Sequence, residues 1–162
     1  MIEATHPTPA PSAVGLQVPD FTAPATGGDF VLSALRGKAV VLYFYPKDNT
    51  PGCTTQAQQF RDLHAEFVKA GAVIFGVSRD SLKSHEGFKA KLGLPFELIS
   101  DIEGVLCRMF DVVKNKMLYG KKVLGIERST FLIDAQGILR QEWRAAKADG
   151  NAATVLEAVK AL

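Results

Sequence analysis

Cys53 is the residue whose surroundings in the chain best suit it to chemistry. It follows Thr50-Pro51-Gly52. Threonine caps helix N-termini and proline is favoured at the first helical position, so the spacing predicts a helix that opens at Thr50 and carries Cys53 in its first turn. A sulfur placed there meets free backbone N–H groups and the positive end of the helix dipole. Both favour an anion, and the thiolate rather than the thiol is the nucleophile. The pattern Thr-x-x-Cys also copies a capping box, with sulfur where glutamate usually stands. Gly52 leaves room for a small substrate beside the backbone. The plainer alternative is an inert buried cysteine acting as a small hydrophobe. The helix start is what favours a reactive group.

The element that must position this thiol lies just upstream. Val40-Val41-Leu42-Tyr43-Phe44-Tyr45 is an unbroken apolar run, as expected of a buried strand, and Pro46 ends it. The helix opened by Thr50 is expected to run to about Lys69, with Phe60, Leu63 and Phe67 on its core face and Gly71 closing it. His64 lies on the same face as Cys53. At about 1.5 Å of rise per residue it sits roughly 16 Å away, too far to act as a base, and reads as a surface residue.

Ala72–Ser78 is a second buried strand, so strand, helix and strand imply a parallel pair with a right-handed crossover. Ser81 to Leu92 reads as a helix capped at Gly93, and 96–100 as a short strand. Ser100-Asp101-Ile102-Glu103 offers a capping box for a helix carrying Leu106, Met109 and Phe110. Residues 111–127 show no clear period; with Lys114, Lys116, Lys121 and Lys122 they are expected to be a solvated loop. Ser129–Asp134 and Ile138–Trp143 form a hairpin around Ala135-Gln136-Gly137, and a last helix from about Ala152 to Leu162 carries Val155, Leu156 and Val159. Upstream, Val18–Thr22 and Asp29–Leu32 suggest a short hairpin about Gly27-Gly28. The order βαβαβαββα implies a layered α/β domain over 15–162, preceded by a flexible, Pro- and Ala-rich tail at 1–14 that contains His6.

The whole chain has 162 residues, enough for one domain with a sizeable core. Its net charge of +2, without a dense basic run, gives no reason to expect nucleic acid. No apolar stretch has the length of a membrane span, and the N-terminus lacks the pattern of a signal peptide. Two cysteines make no disulfide framework, so a reducing, cytoplasmic setting is expected. The cysteines and three histidines show no metal-ligand spacing, and no phosphate-binding glycine motif follows a strand. Neither a metal nor a bound cofactor is expected.

Tyr45-Pro46-Lys47-Asp48-Asn49-Thr50-Pro51-Gly52-Cys53-Thr54-Thr55-Gln56-Ala57 resembles the active-site signature of peroxiredoxins, Pro-x-x-x-Thr-x-x-Cys, in its bacterioferritin comigratory protein (Q-type) branch. The resemblance extends through Val77–Ser81 and Tyr119–Asp134 and covers roughly residues 15–160. It implies a thioredoxin-like (peroxiredoxin) fold: a central mixed sheet with helices on both faces and an N-terminal hairpin. It also implies a thiol-dependent peroxidase that reduces hydrogen peroxide and organic hydroperoxides, leaving Cys53 as a sulfenic acid. In this scheme Arg128, otherwise only a charge beside a strand, stabilises the thiolate and the charge developing on the peroxide. Thr50 holds the peroxide or the thiolate with its hydroxyl, Pro46 shields the sulfur from water, and the Cys53 N–H completes the oxygen site.

The chain departs from that branch in its second thiol. Many relatives carry a resolving cysteine five residues after the first, where Gln58 stands, or in the next helix, near Lys89. The other thiol here, Cys107, is expected to be a buried structural residue, with a resolving role as the alternative. Resolution is therefore expected from outside, by thioredoxin, glutaredoxin or glutathione, on a monomer. The competing functions are a redox-sensing or holdase-type interaction protein and a thiol–disulfide oxidoreductase. The absence of a Cys-x-x-Cys pair counts against the last.

Overall fold

The structure, a computed structural model, describes residues 12–162 (of Lys116 and Leu118, the backbone only). Eleven residues of the expected tail lie outside the described residues. At its end, the Ser12 N–H donates to the Met109 carbonyl at 3.1 Å.

The chain is built around one strand. Ahead of it, β1 (Thr22–Ala23) and β2 (Phe30–Val31) form the expected short hairpin, and a single 3₁₀ turn at Leu32–Leu35 leads into β3 (Ala39–Phe44). All six residues of β3 are buried. Successive side chains of a strand point to opposite faces. Val40, Leu42 and Phe44 therefore enter a core cluster with Phe30, Phe110 and Phe131, while Val41 and Tyr43 enter a second with Phe60, Phe67, Val155 and Leu156. A strand buried on both faces requires a cover on each.

The remaining elements supply those covers. They are α1 (Pro51–Lys69), β4 (Ala72–Ser78), α2 (Leu82–Leu92), β5 (Glu97–Ser100), α3 (Val105–Met109), β6 (Val113–Leu118), β7 (Lys121–Ile126), β8 (Ser129–Ile133), β9 (Leu139–Trp143) and α4 (Asn151–Lys160). The sheet order is β9-β8-β3-β4-β5. β3 pairs parallel with β4 and antiparallel with β8, so the sheet is mixed. Buried apolar residues of α1, α2 and α4 lie in the second cluster, and those of α3 and the N-terminal hairpin in the first. This is the expected thioredoxin-like arrangement. It places Cys53 in one cluster and Cys107 in the other, on opposite faces of the sheet.

Downstream of α2, two expectations about the elements fail. Residues 111–127 are not a loop: β6 and β7 pair in register from Val113↔Ile126 to Leu118↔Lys121 around a turn at Tyr119-Gly120. The hairpin has mixed lysines and apolar residues on both strands, which hides the period of two. The capping box proposed at Ser100 is also absent. Ser100 Oγ donates to the Asp80 carbonyl, and it is the Asp101 carboxylate that accepts from the Leu106 and Cys107 N–H groups at 3.1 and 2.8 Å. An ionised acceptor is the stronger cap for two orphan donors.

Candidate active site

β3 delivers the chain to a short loop, Pro46 to Thr50, whose shape is set by a buried polar cluster. Tyr45 Oη donates to Asp48 Oδ1 at 2.6 Å. Ser84 Oγ donates to Asp48 Oδ2 at 2.8 Å, and His85 Nδ1 lies 2.8 Å from the same oxygen. His85 Nε2 donates to the Ile99 carbonyl at 2.9 Å. The backbone N–H of Asp48 donates to Asp80 Oδ2, which also accepts from Ser78 Oγ. Burial acts to raise the Asp48 pKa, but the bonds from His85, Tyr45 and Ser84 outweigh it and hold the carboxyl below its ordinary range. The ligand atoms of Asp48, Asp80 and His85 lie within 4.8 Å of one another, a spacing that could suit a metal. Both Asp48 oxygens and Asp80 Oδ2 are already engaged by these protein donors. With the loop pinned to α2, Asn49 takes a left-handed φ of 64°, which asparagine tolerates.

Thr50 then starts α1 as its N-cap with extended backbone, and Pro51 is the first helical residue. The expected capping box does not form. Thr50 Oγ1 donates back to the Lys47 carbonyl at 2.8 Å, and the Cys53 side chain packs into the core with Tyr43 and Tyr45. Cys53 is only 1% exposed, so reagents reach its sulfur through a narrow opening at most.

Arg128, directly before β8, meets that sulfur. Its Nη2 donates to Cys53 Sγ at 3.6 Å and its Nη1 to Gln56 Oε1 at 2.6 Å. The space beside Gly52, expected to admit substrate, is taken up by this guanidinium: a Cβ on Gly52 would lie 3.1 Å from Arg128 Nη2. A side chain at this position would press on the guanidinium, which would have to shift by a few tenths of an ångström.

Gln56 and the residues behind it escaped the sequence reading. Gln56 Nε2 donates to Asn151 Oδ1 at 3.0 Å, and Thr130 Oγ1 donates to the same oxygen at 2.8 Å. Gln56, Thr130 and Asn151 are all buried. The available signal was a glutamine three residues after Cys53 on the core-facing side of a helix, since buried amides need partners. The partner residues are separated too widely in sequence to be paired by spacing.

Pro46 is half-buried at the exit of β3. Cys107 is fully buried; burial and the nearby Asp101 carboxylate push its thiol well above the ordinary range. His64 is half-buried rather than on the surface, its ring 6.3 Å from that of Phe96. Lys89 pairs with Glu97 at 2.8 Å. A cavity of about 710 Å³ between the N-terminal hairpin, α2 and α3 is lined by Phe21, Leu82 and Ile102, and its lining includes neither Cys53 nor Arg128.

Known proteins resemble the chain in sequence and in fold. The model of the AhpC/TSA family matches residues 14–142. A curated relative, peroxiredoxin Bcp of Xanthomonas campestris pv. campestris, is 56% identical over 135 residues, 83% of this chain and 84% of the relative. Peroxiredoxin Bcp of Bacillus subtilis is 50% identical over 148 residues, 91% and 94% of the two chains. A solved structure of Xanthomonas campestris peroxiredoxin Q superposes with a TM-score of 0.86 at 52% identity, covering 91% of this chain and 97% of that one. Another, from a study of the alkyl peroxide reduction activity of the Xanthomonas campestris bacterioferritin comigratory protein, superposes with a TM-score of 0.86 at 51% identity, covering 92% and 98%.

Proposed function

The chain belongs to the AhpC/TSA family and, within it, to the Bcp (Q-type) peroxiredoxins, which makes it a thiol-dependent peroxidase, and on that premise we propose that Cys53 is its peroxide-reducing thiol. The observation that carries the assignment is the Arg128 guanidinium 3.6 Å from a sulfur in the first turn of α1. The Cys53 thiolate attacks one oxygen of the hydroperoxide. The O–O bond breaks, and the electron pair leaves on the other oxygen, which takes a proton and departs as water or an alcohol. Cys53 is left as a sulfenic acid.

Each neighbour has a task in this step. Arg128 faces the sulfur and stabilises the negative charge passing to the leaving oxygen. The Cys53 N–H, third in the helix, has no intrahelical carbonyl to serve and is available to an oxygen of the substrate. Thr50 spends its one proton on Lys47, but its two lone pairs can still accept the proton of a bound hydroperoxide. Pro46 covers the strand exit and keeps bulk water from the sulfur. Hydrogen peroxide and small organic hydroperoxides suit so enclosed a thiol.

Recycling comes from an external thiol: thioredoxin, glutaredoxin or glutathione. Supporting this, Cys107 belongs to the core on the far side of the sheet, and Lys89 holds an ion pair in α2. A monomer in the cytoplasm completes the reading, since two cysteines are too few for a disulfide framework. Among the described residues no helix is long and apolar enough to cross a membrane.

Peroxide consumption with excess dithiothreitol tests the assignment. The parent protein is expected to cycle and Cys53→Ser to be inactive. Turnover by Cys53→Ser at the parent rate would remove Cys53 from the reaction.

A further inference from the structure

We propose that Asn151, at the start of α4, is a positioning residue for the peroxidase reaction, acting through Gln56 to hold Arg128 on the Cys53 sulfur. The proposal rests on the reading of Arg128 given above. Its basis is the polarity of a buried chain of hydrogen bonds. A guanidinium only donates, so Gln56 must turn its oxygen, not its amide nitrogen, toward Arg128. That orientation points the Gln56 NH₂ group into the core, where it needs an acceptor. Asn151 Oδ1 is that acceptor at 3.0 Å, and it is fixed by a second donor, Thr130 Oγ1, at 2.8 Å. Without the Asn151 oxygen, the Gln56 NH₂ group is left buried with no acceptor, and only the contact with Arg128 holds the amide in its orientation. An amide that turns to relieve its buried donors faces the guanidinium donor against donor, so the hold on Arg128 at the sulfur is loosened.

The residues around Asn151 strengthen the same hold. The Ala146 N–H donates to the Arg128 carbonyl at 2.8 Å. Gln59, one turn beyond Gln56, donates to Asp149 Oδ1 at 2.6 Å and accepts from the Gly150 N–H at 2.8 Å. The segment 146–151 thus grips Arg128 at its backbone and, through Gln56, at its side chain. It is tied to the helix that bears Cys53. Sulfur and cation are held in one frame, and Asn151 closes the side-chain half of it.

The test is a double-mutant cycle on the second-order rate constant for oxidation of Cys53 by hydrogen peroxide. Asn151→Ala is expected to lower the constant about tenfold, the scale of one lost buried hydrogen bond. Asn151→Asp keeps an acceptor for both donors and is expected to stay within about threefold of the parent. In an Arg128→Ala background, adding Asn151→Ala is expected to change the constant by less than about twofold. A parent-like rate for Asn151→Ala overturns the proposal. So does an equal tenfold loss in both backgrounds, because Asn151 would then act independently of Arg128. A parent-like rate for Arg128→Ala alone would instead overturn the role given to Arg128, and is read separately in the same cycle. If Asn151→Ala does not fold, Asn151→Leu, close in volume, takes its place with the same expectations.

Discussion

A Cβ on Gly52 would lie 3.1 Å from Nη2 of Arg128, and that same nitrogen is 3.6 Å from the Cys53 sulfur. Gly52 is therefore the clearance through which the cation reaches the thiol. It is helical with no left-handed φ, so alanine fits its backbone and should even favour the helix by about 0.5–1 kcal/mol. Gly52→Ala is expected to leave the melting temperature unchanged or slightly raised while slowing oxidation of Cys53 by peroxide about tenfold. Melting curves and peroxide kinetics on one preparation would separate the two effects. A slowed reaction accompanied by a large loss of stability would count against the clearance argument.

Arg128→Ala removes the charge from the sulfur. Loss of one preorganised donor at a centre of developing charge costs about 10²–10³ in rate. Arg128→Lys should recover only part of that loss, because an ammonium cannot replace the fork that bridges Gln56 and Cys53. Stopped-flow oxidation kinetics check both, and full recovery by lysine would show that charge alone matters.

The Asp48–His85 pair is buried and fully partnered, with side chains 1% and 0% exposed. Removing one member strands the other, so Asp48→Ala is expected to destabilise the fold by about 3 kcal/mol. Because folding depresses the Asp48 pKa, its stabilisation is complete above the ordinary carboxylate value of about 3.9. The stabilisation is lost as pH falls through the lower, folded-state value. Denaturant titrations of parent and variant should therefore differ by a constant amount at neutral pH and converge only in strong acid. Convergence already near pH 6 would contradict this.

Cys107 is fully buried and its thiol is held protonated by burial and by Asp101. It is expected to resist alkylation in the folded protein and to react once denaturant is added. Cys107→Ser should keep its turnover with dithiothreitol. Failure of that variant to cycle, with its fold intact, would make Cys107 part of the reaction.

The strand–helix frame was readable because its signals are local. Six apolar residues ended by Pro46, and a Thr-Pro helix start, fix where Cys53 must be. Arg128 could be named only through family resemblance, since nothing in its neighbours announces a contact 75 residues away. The Asp48–His85 and Gln56–Asn151 partnerships were invisible for the same reason: tertiary packing creates them and no sequence period encodes them. The β6–β7 hairpin was missed because its lysines and apolar residues share both faces, so the alternation that marks a half-buried strand is absent.

The most direct test of the central claim is the mass of the intact protein and of its cysteine peptides after one equivalent of hydrogen peroxide. A Cys53 sulfenic acid resolved from outside predicts a gain of one oxygen, confined to the Cys53 peptide and reversed by an external thiol. A loss of two hydrogens linking Cys53 to Cys107, or an oxygen carried by Cys107, would contradict it.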